Sequence, residues 1–329
     1  MADAPVAAAR PRRSRVLLRV AVAVVLLAGL ALAVADQWSE VAGRLGRLRP
    51  GPAVLALVLL VAGLQTSMLA WRAVLADLGS PLPVSTAARI IYVAQLGKYL
   101  PGSVWPIVLQ MQLGRAVGVP RTRAAAASLV MTGLAVVTGA LVGLLSLPAL
   151  LGGGGGRYAL LLLAVPVGAV LLHPRVINRM ITVGLRVLRR PPLEHGLSGS
   201  GLLAAAGFFV ASYLLFGLQA FVLAVALGGA GSGSVVLAVG GFALATAAGL
   251  AFVVAPAGAG VREAVLVLVL GTAISVPAAT AVAIASRLLS TLADALVAGV
   301  AAVSTRSLLR RRPRQQGFAE GVPARRNEP

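Results

Sequence analysis

The sequence contains no cysteine, two histidines, one lysine and nine acidic residues among 329. The missing thiols exclude disulfides, thiolate metal sites and cysteine nucleophiles. Both histidines, His173 and His195, fall in a single polar connection, which argues against zinc or haem, so no cofactor is expected. No Walker, dinucleotide-binding, HExxH or GxSxG motif stands in a supporting context. Charge is scarce overall: 12% of residues are charged, where soluble domains carry roughly one quarter. Long polar stretches are equally few, namely residues 1–15, 173–200 and the tail 304–329. They leave no room for a separate soluble catalytic domain.

Apolar sequence is what the chain has in quantity. Hydrophobic residues make up 59% of it and the mean hydropathy is +0.94, so the expected fold class is an all-α polytopic membrane protein. The formal net charge is +20. A basic balance of this size often marks nucleic-acid binding, but no soluble surface is available to carry it, and no nucleic-acid partner is expected. The arginines cluster between the apolar runs, the positive-inside pattern of a chain in the plasma membrane. Six spans follow from the hydropathy, at about residues 16–35, 53–71, 124–150, 158–172, 201–227 and 278–303. Basic residues at 1–15 and 304–329 put both termini in the cytoplasm. The 173–200 connection reads either as a helix lying on the inner surface or as an ordinary basic loop.

Two apolar stretches are interrupted. Residues 84–113 carry Arg89, Lys98, Pro101, Gly102 and Pro106, and both flanks are basic. Residues 235–271 carry Pro256, Gly258, Gly260, Arg262 and Glu263, and both flanks are uncharged. Proline removes a helical donor, and glycine admits tight turns and close approach. Broken backbone at membrane depth must be buried in protein or line a cavity. Each stretch therefore reads as a re-entrant hairpin, the first entering from inside and the second from outside; ten helices would result if both crossed completely. The halves 16–150 and 157–303 then share one plan in opposite orientation, an inverted repeat with its breaks near the midplane.

These residues also carry a resemblance. Pro256-Ala257-Gly258-Ala259-Gly260-Val261-Arg262-Glu263 is similar to the proline-glycine-glycine-glutamate signature of the lysylphosphatidylglycerol synthase transmembrane-region family, the flippase-like domain proteins. The Gly97-Lys98-Tyr99-Leu100-Pro101-Gly102 break and the Ser286-Arg287-Leu288 step of the last span support it. The resemblance covers roughly residues 15–305. It implies a bacterial or archaeal membrane protein that binds, and translocates, lipids or lipid-linked molecules. Pro256, Gly258, Gly260, Glu263 and Arg287 match the family's motif positions. Trp105-Pro106 departs from the more polar, basic run of many relatives, which leaves the ligand open. The full-length synthase adds a soluble aminoacyl-transfer domain; the Arg/Pro tail here does not resemble one, so aminoacyl transfer is not expected of this polypeptide.

Charges at membrane depth are costly and mark candidate sites. Arg262 and Glu263 either neutralise one another or meet a lipid headgroup, for which the guanidinium fork suits phosphate. Arg287 and Asp294 lie seven apart and so share a helix face; they either pair with other helices or contact substrate. Lys98 and Arg89 are positioned to bind phosphate from inside, although Lys98 is also long enough to snorkel to the surface. Expected partners are a membrane lipid with an anionic headgroup or a lipid-linked sugar. An alternative is a non-transporting subunit that feeds lipid to, or anchors, a separate membrane-associated transferase. An enzyme is the weakest reading, because acid-base groups at depth reduce to Glu263 and Asp294 with a few cations. Oligomeric state is left open.

Overall fold

The computed structural model describes residues 37–99, 104–151, 166–187, 192–228, 234–252 and 258–310. The expected first span at 16–35, most of that at 158–172, and the break residues Pro101, Gly102 and Pro256 lie outside them. The described chain is helical. In order it forms α1 (Trp38–Gly46), α2 (Pro50–Asp77), α3 (Val84–Gln95) with a 3-10 turn at Leu96–Tyr99, and α4 (Trp105–Arg115). There follow α5 (Arg121–Gly143), α6 (Pro174–Val187), α7 (Gly199–Gly228), α8 (Val235–Ala251), α9 (Val261–Leu270) and α10 (Val276–Arg310). A 3-10 turn and a short helical turn, Leu144–Ser146 and Leu147–Leu150, extend α5.

Four of these are long and apolar enough to cross a bilayer: Pro50–Asp77, Arg121–Ser146, Gly199–Gly228 and Val276–Val303. They correspond to four of the six expected spans. At about 1.5 Å per residue, the 12-residue α3, 11-residue α4 and 10-residue α9 are each about 15–18 Å long, too short to cross a hydrocarbon core of roughly 30 Å. Within the 173–200 segment, expected either as a surface helix or as a loop, Pro174–Val187 forms the helix α6 and residues 192–198 are non-helical. In α6, Arg175, Arg179 and Arg186 are exposed while Ile177 is buried.

α2 and α7 run antiparallel at the middle of the bundle. Asp77, at the end of α2, accepts from the Ser198 backbone N–H (2.6 Å) and hydroxyl (2.8 Å) just before α7 begins. An acceptor there satisfies an orphan donor of the helix N-terminus. Midway, the hydroxyls of Ser67 and Ser212 are 2.7 Å apart, and Ser212 also donates to the Gly63 carbonyl at 2.9 Å. At the far end Arg44 of α1 donates to the Leu227 carbonyl at 2.8 Å, covering the C-terminus of α7.

Around this pair the contacts come in matched sets. α3 packs on α4 as α8 packs on α9; α4 on α5 as α9 on α10; α3 on α10 as α8 on α5. Each of the two broken stretches doubles back through a glycine closure. A Cβ on Gly97 would lie 3.0 Å from the backbone of both Trp105 and Pro106. Pro106 sits in the first turn of α4, where its missing N–H would be unsatisfied anyway. In the second stretch Gly258 has φ +66° and a Cβ there would lie 2.9 Å from the Gly249 Cα. Gly258→Ala should therefore cost at least about 1–2 kcal/mol from the left-handed backbone alone, with the close approach added. Thermal unfolding in detergent checks this, with Gly299→Ala, which has open space around its Cα, as the control.

Candidate functional site

α10 carries two charges at mid-length. Arg287 lies 11 residues and Asp294 18 residues beyond Val276, about 17 and 27 Å along the helix axis. They share a face, as their spacing requires, yet each serves a different broken stretch. Asp294 is 3% exposed and accepts from Lys98 Nζ at 2.6 Å and from Tyr99 Oη at 2.6 Å. Arg287 Nη1 lies 3.1 Å from Glu263 Oε1. The last helix thus ties the tip of the first stretch and the tip of the second at positions two turns apart.

Local structure explains each placement. The 3-10 turn at Leu96–Tyr99 tightens the end of α3 and sends Lys98 and Tyr99 inward to Asp294. Lys98 therefore turns into the bundle, and the snorkelling alternative does not apply; the buried carboxylate offers a better partner than the longer reach to the surface. Glu263 is the third residue of α9, and its Oε2 accepts the Gly260 N–H at 2.7 Å. This is the acidic half of a capping box, with glycine (φ +86°) at the N-cap supplying the turn but no side chain. Its other oxygen faces Arg287, so one carboxylate satisfies a helix end and a guanidinium together.

Arg262 differs from its neighbours. Mutual neutralisation with Glu263 was one expectation from the sequence, but Glu263 is engaged by Arg287 and Gly260. The Arg262 guanidinium instead lies over the Phe242 ring, 4.6 Å from its centroid. Among the described residues it has no hydrogen-bond or ion-pair partner. It is within Coulombic reach of Glu263, Arg287, Asp294 and Tyr99, and Lys98 feels both arginines. Lys98, Arg262 and Arg287 against Glu263 and Asp294 make a cluster with one cation in excess. A planar fork of donors with no acceptor, held at mid-depth beside excess positive charge, is suited to an anionic oxygen group.

The structure thus brings five of the six expected charged residues together. The sixth, Arg89, stands two turns below the tip on α3, against a separate small cavity. The Tyr99 hydroxyl is also part of the cluster, through its bond to Asp294, and nothing in its spacing announced that. Gln110 bonds between helices, accepting from the Ser128 hydroxyl across α4 and α5. A cavity of about 1040 Å³ between α4, α5 and α6 is apolar apart from a few polar residues, with Arg121 its one charged lining residue. That lining suits acyl chains rather than a headgroup.

Long apolar helices, two short broken pairs and a charged centre at mid-length define a multi-pass α-helical membrane protein with an internal polar site. Residues 16–299 match the sequence profile of the lysylphosphatidylglycerol synthase TM region, and the chain belongs to that family. Comparison with curated proteins gave no match.

Proposed function

We propose that the chain binds an anionic lipid or lipid-linked molecule at this centre and moves it between leaflets. The observation that carries the reading is Arg262, a guanidinium without hydrogen-bond partner among the described residues, inside a cluster with excess positive charge. A headgroup would meet Arg262 and Arg287 while its tails stay in lipid. Lys98, Tyr99, Glu263 and Asp294 hold the surrounding geometry.

The matched contacts around antiparallel α2 and α7 support an inverted repeat, with α1 to α5 equivalent to α6 to α10. In this reading the α3–α4 and α8–α9 pairs are re-entrant, approaching the midplane from opposite sides. The arginine-rich end, with Arg115, Arg121 and Arg123, is the cytoplasmic one. Movement comes from one half rocking against the other around the fixed centre.

The test is reconstitution of the whole chain into liposomes carrying labelled phosphatidylglycerol or a labelled lipid-linked sugar. The label should become accessible to a membrane-impermeant quencher faster than in empty liposomes. No exchange of headgroups across the bilayer under any ion gradient overturns the transport reading. The exposed arginines of α6 favour a second reading, in which the chain is a docking subunit for a transferase. Deleting residues 306–329 distinguishes them, since a docking subunit loses its partner in pull-down while a transporter keeps its exchange rate.

A further inference from the structure

The two seams that correspond in the paired halves are not alike. Where α5 meets α8, the backbones touch through glycine. A Cβ on Gly139 would lie 3.2 Å from the Ala243 carbonyl oxygen, one on Gly143 2.9 Å from Leu244 Cβ, and one on Gly240 2.6 Å from the Ser146 nitrogen. That seam has no room for one added methyl group, and nothing passes through it in this structure. The corresponding seam, between α3 and α10, holds a cavity of about 340 Å³.

The chemistry of that cavity is divided. Ser85, Arg89 and Tyr92 of α3 and Gln65 of α2 supply polar groups, and Val297 and Val300 of α10 supply an apolar wall. Tyr92 Oη donates to Gln65 Oε1 at 2.5 Å, which leaves the Gln65 amide nitrogen free to donate toward a ligand. Arg89 is half-buried and, among the described residues, has neither an ion-pair nor a hydrogen-bond partner. The lining follows helical stripes on both walls: 85, 89 and 92 on α3, 297 and 301 on α10. Asp294 lies one step before Val297 on α10, and Tyr99 lies two turns beyond Tyr92 at the end of the 3-10 turn; the side chains of Asp294 and Tyr99 meet at 2.6 Å. Along both walls the chain thus leads from the cavity lining to this contact, which belongs to the charged centre.

We propose that the α3–α10 seam is a lateral portal for a phosphate-bearing amphiphile. Its phosphate meets Arg89 first, its acyl chains lie along Val297 and Val300, and the Tyr99–Asp294 contact separates the portal from the centre. The structure is thus the state open toward the leaflet at the N-terminal end of α3, with the α5–α8 seam as the shut counterpart. This rests on the binding and transport reading given above, and adds the route and the first contact.

The experiment combines exchange of labelled phosphatidylglycerol in liposomes with cross-linking by a phosphatidylglycerol that bears a photoactivatable diazirine on one acyl chain. Ala88→Trp fills the portal and Arg89→Gln removes its charge without bulk. We expect Ala88→Trp to slow exchange at least about tenfold, Arg89→Gln to slow it severalfold, and wild-type cross-links to fall on peptides 85–92 and 296–301. Exchange at the wild-type rate in both variants, or cross-links confined to other helices, overturns the portal. If the wild type shows no exchange, the transport reading fails, and the cross-link positions still decide whether lipid occupies this seam.

Discussion

Asp294→Ala should be the most destabilising single change at the centre. It leaves Lys98 Nζ and Tyr99 Oη, both 2.6 Å from the carboxylate, without their acceptor at mid-depth. Breaking a buried ion pair from one side costs about 3–5 kcal/mol, because the remaining charge stays uncompensated. Replacing both partners by apolar residues of similar size is nearly neutral by the same argument. Lys98→Met with Asp294→Leu should therefore recover most of the lost thermal stability in detergent or nanodiscs. It should not recover lipid exchange, since the charge that sets the first tip against α10 is gone. A double variant no more stable than Asp294→Ala would show that the pair contributes more than mutual neutralisation.

Arg262→Met should do the reverse, sparing the fold and removing the ligand. In the folded chain the guanidinium contributes a stacking contact over Phe242, about 0.5–2 kcal/mol, and the methionine stem keeps much of that packing. If the guanidinium receives an anionic headgroup, losing a desolvated charged hydrogen bond costs about 2–5 kcal/mol of binding, or roughly 30-fold to more than 1,000-fold in Kd. Arg262→Lys should not restore the affinity, because an ammonium lacks the bidentate fork. Binding of short-chain phosphatidylglycerol to the purified protein, measured by native mass spectrometry, checks this. Unchanged affinity in Arg262→Met would move the headgroup site elsewhere.

The sequence pointed to both broken stretches through local signals that survive folding: a proline, glycines and unpaired charges inside apolar runs. The structure places helix ends at both, at Gln95 and Trp105 in one and at Ala251 and Val261 in the other. The share of a face by Arg287 and Asp294 followed from their spacing. Partner choice did not, because it depends on which tips reach α10 and at what height. Arg262 and Glu263 are adjacent in sequence, so they point in different directions around α9 and could not meet as the simplest pairing supposed. The 3-10 turn that redirects Lys98 and Tyr99 toward Asp294 has no hydropathy signature. One helix is longer than its hydropathy suggested: α2 continues to Asp77 because its last turns bury Trp71, Val74 and Leu75 against neighbouring helices, where hydropathy alone ended the span at Trp71.

The antiparallel α2 and α7 are joined midway by hydroxyl bonds, from Ser212 to the Gly63 carbonyl and between Ser67 and Ser212. Acyl chains are as apolar as the side chains they surround, so no expulsion of solvent drives these two helices together. What holds them is contact and polar bonding, whose strength does not fade on cooling as water-driven association does. The junction between α2 and α7 should therefore stay intact in the cold.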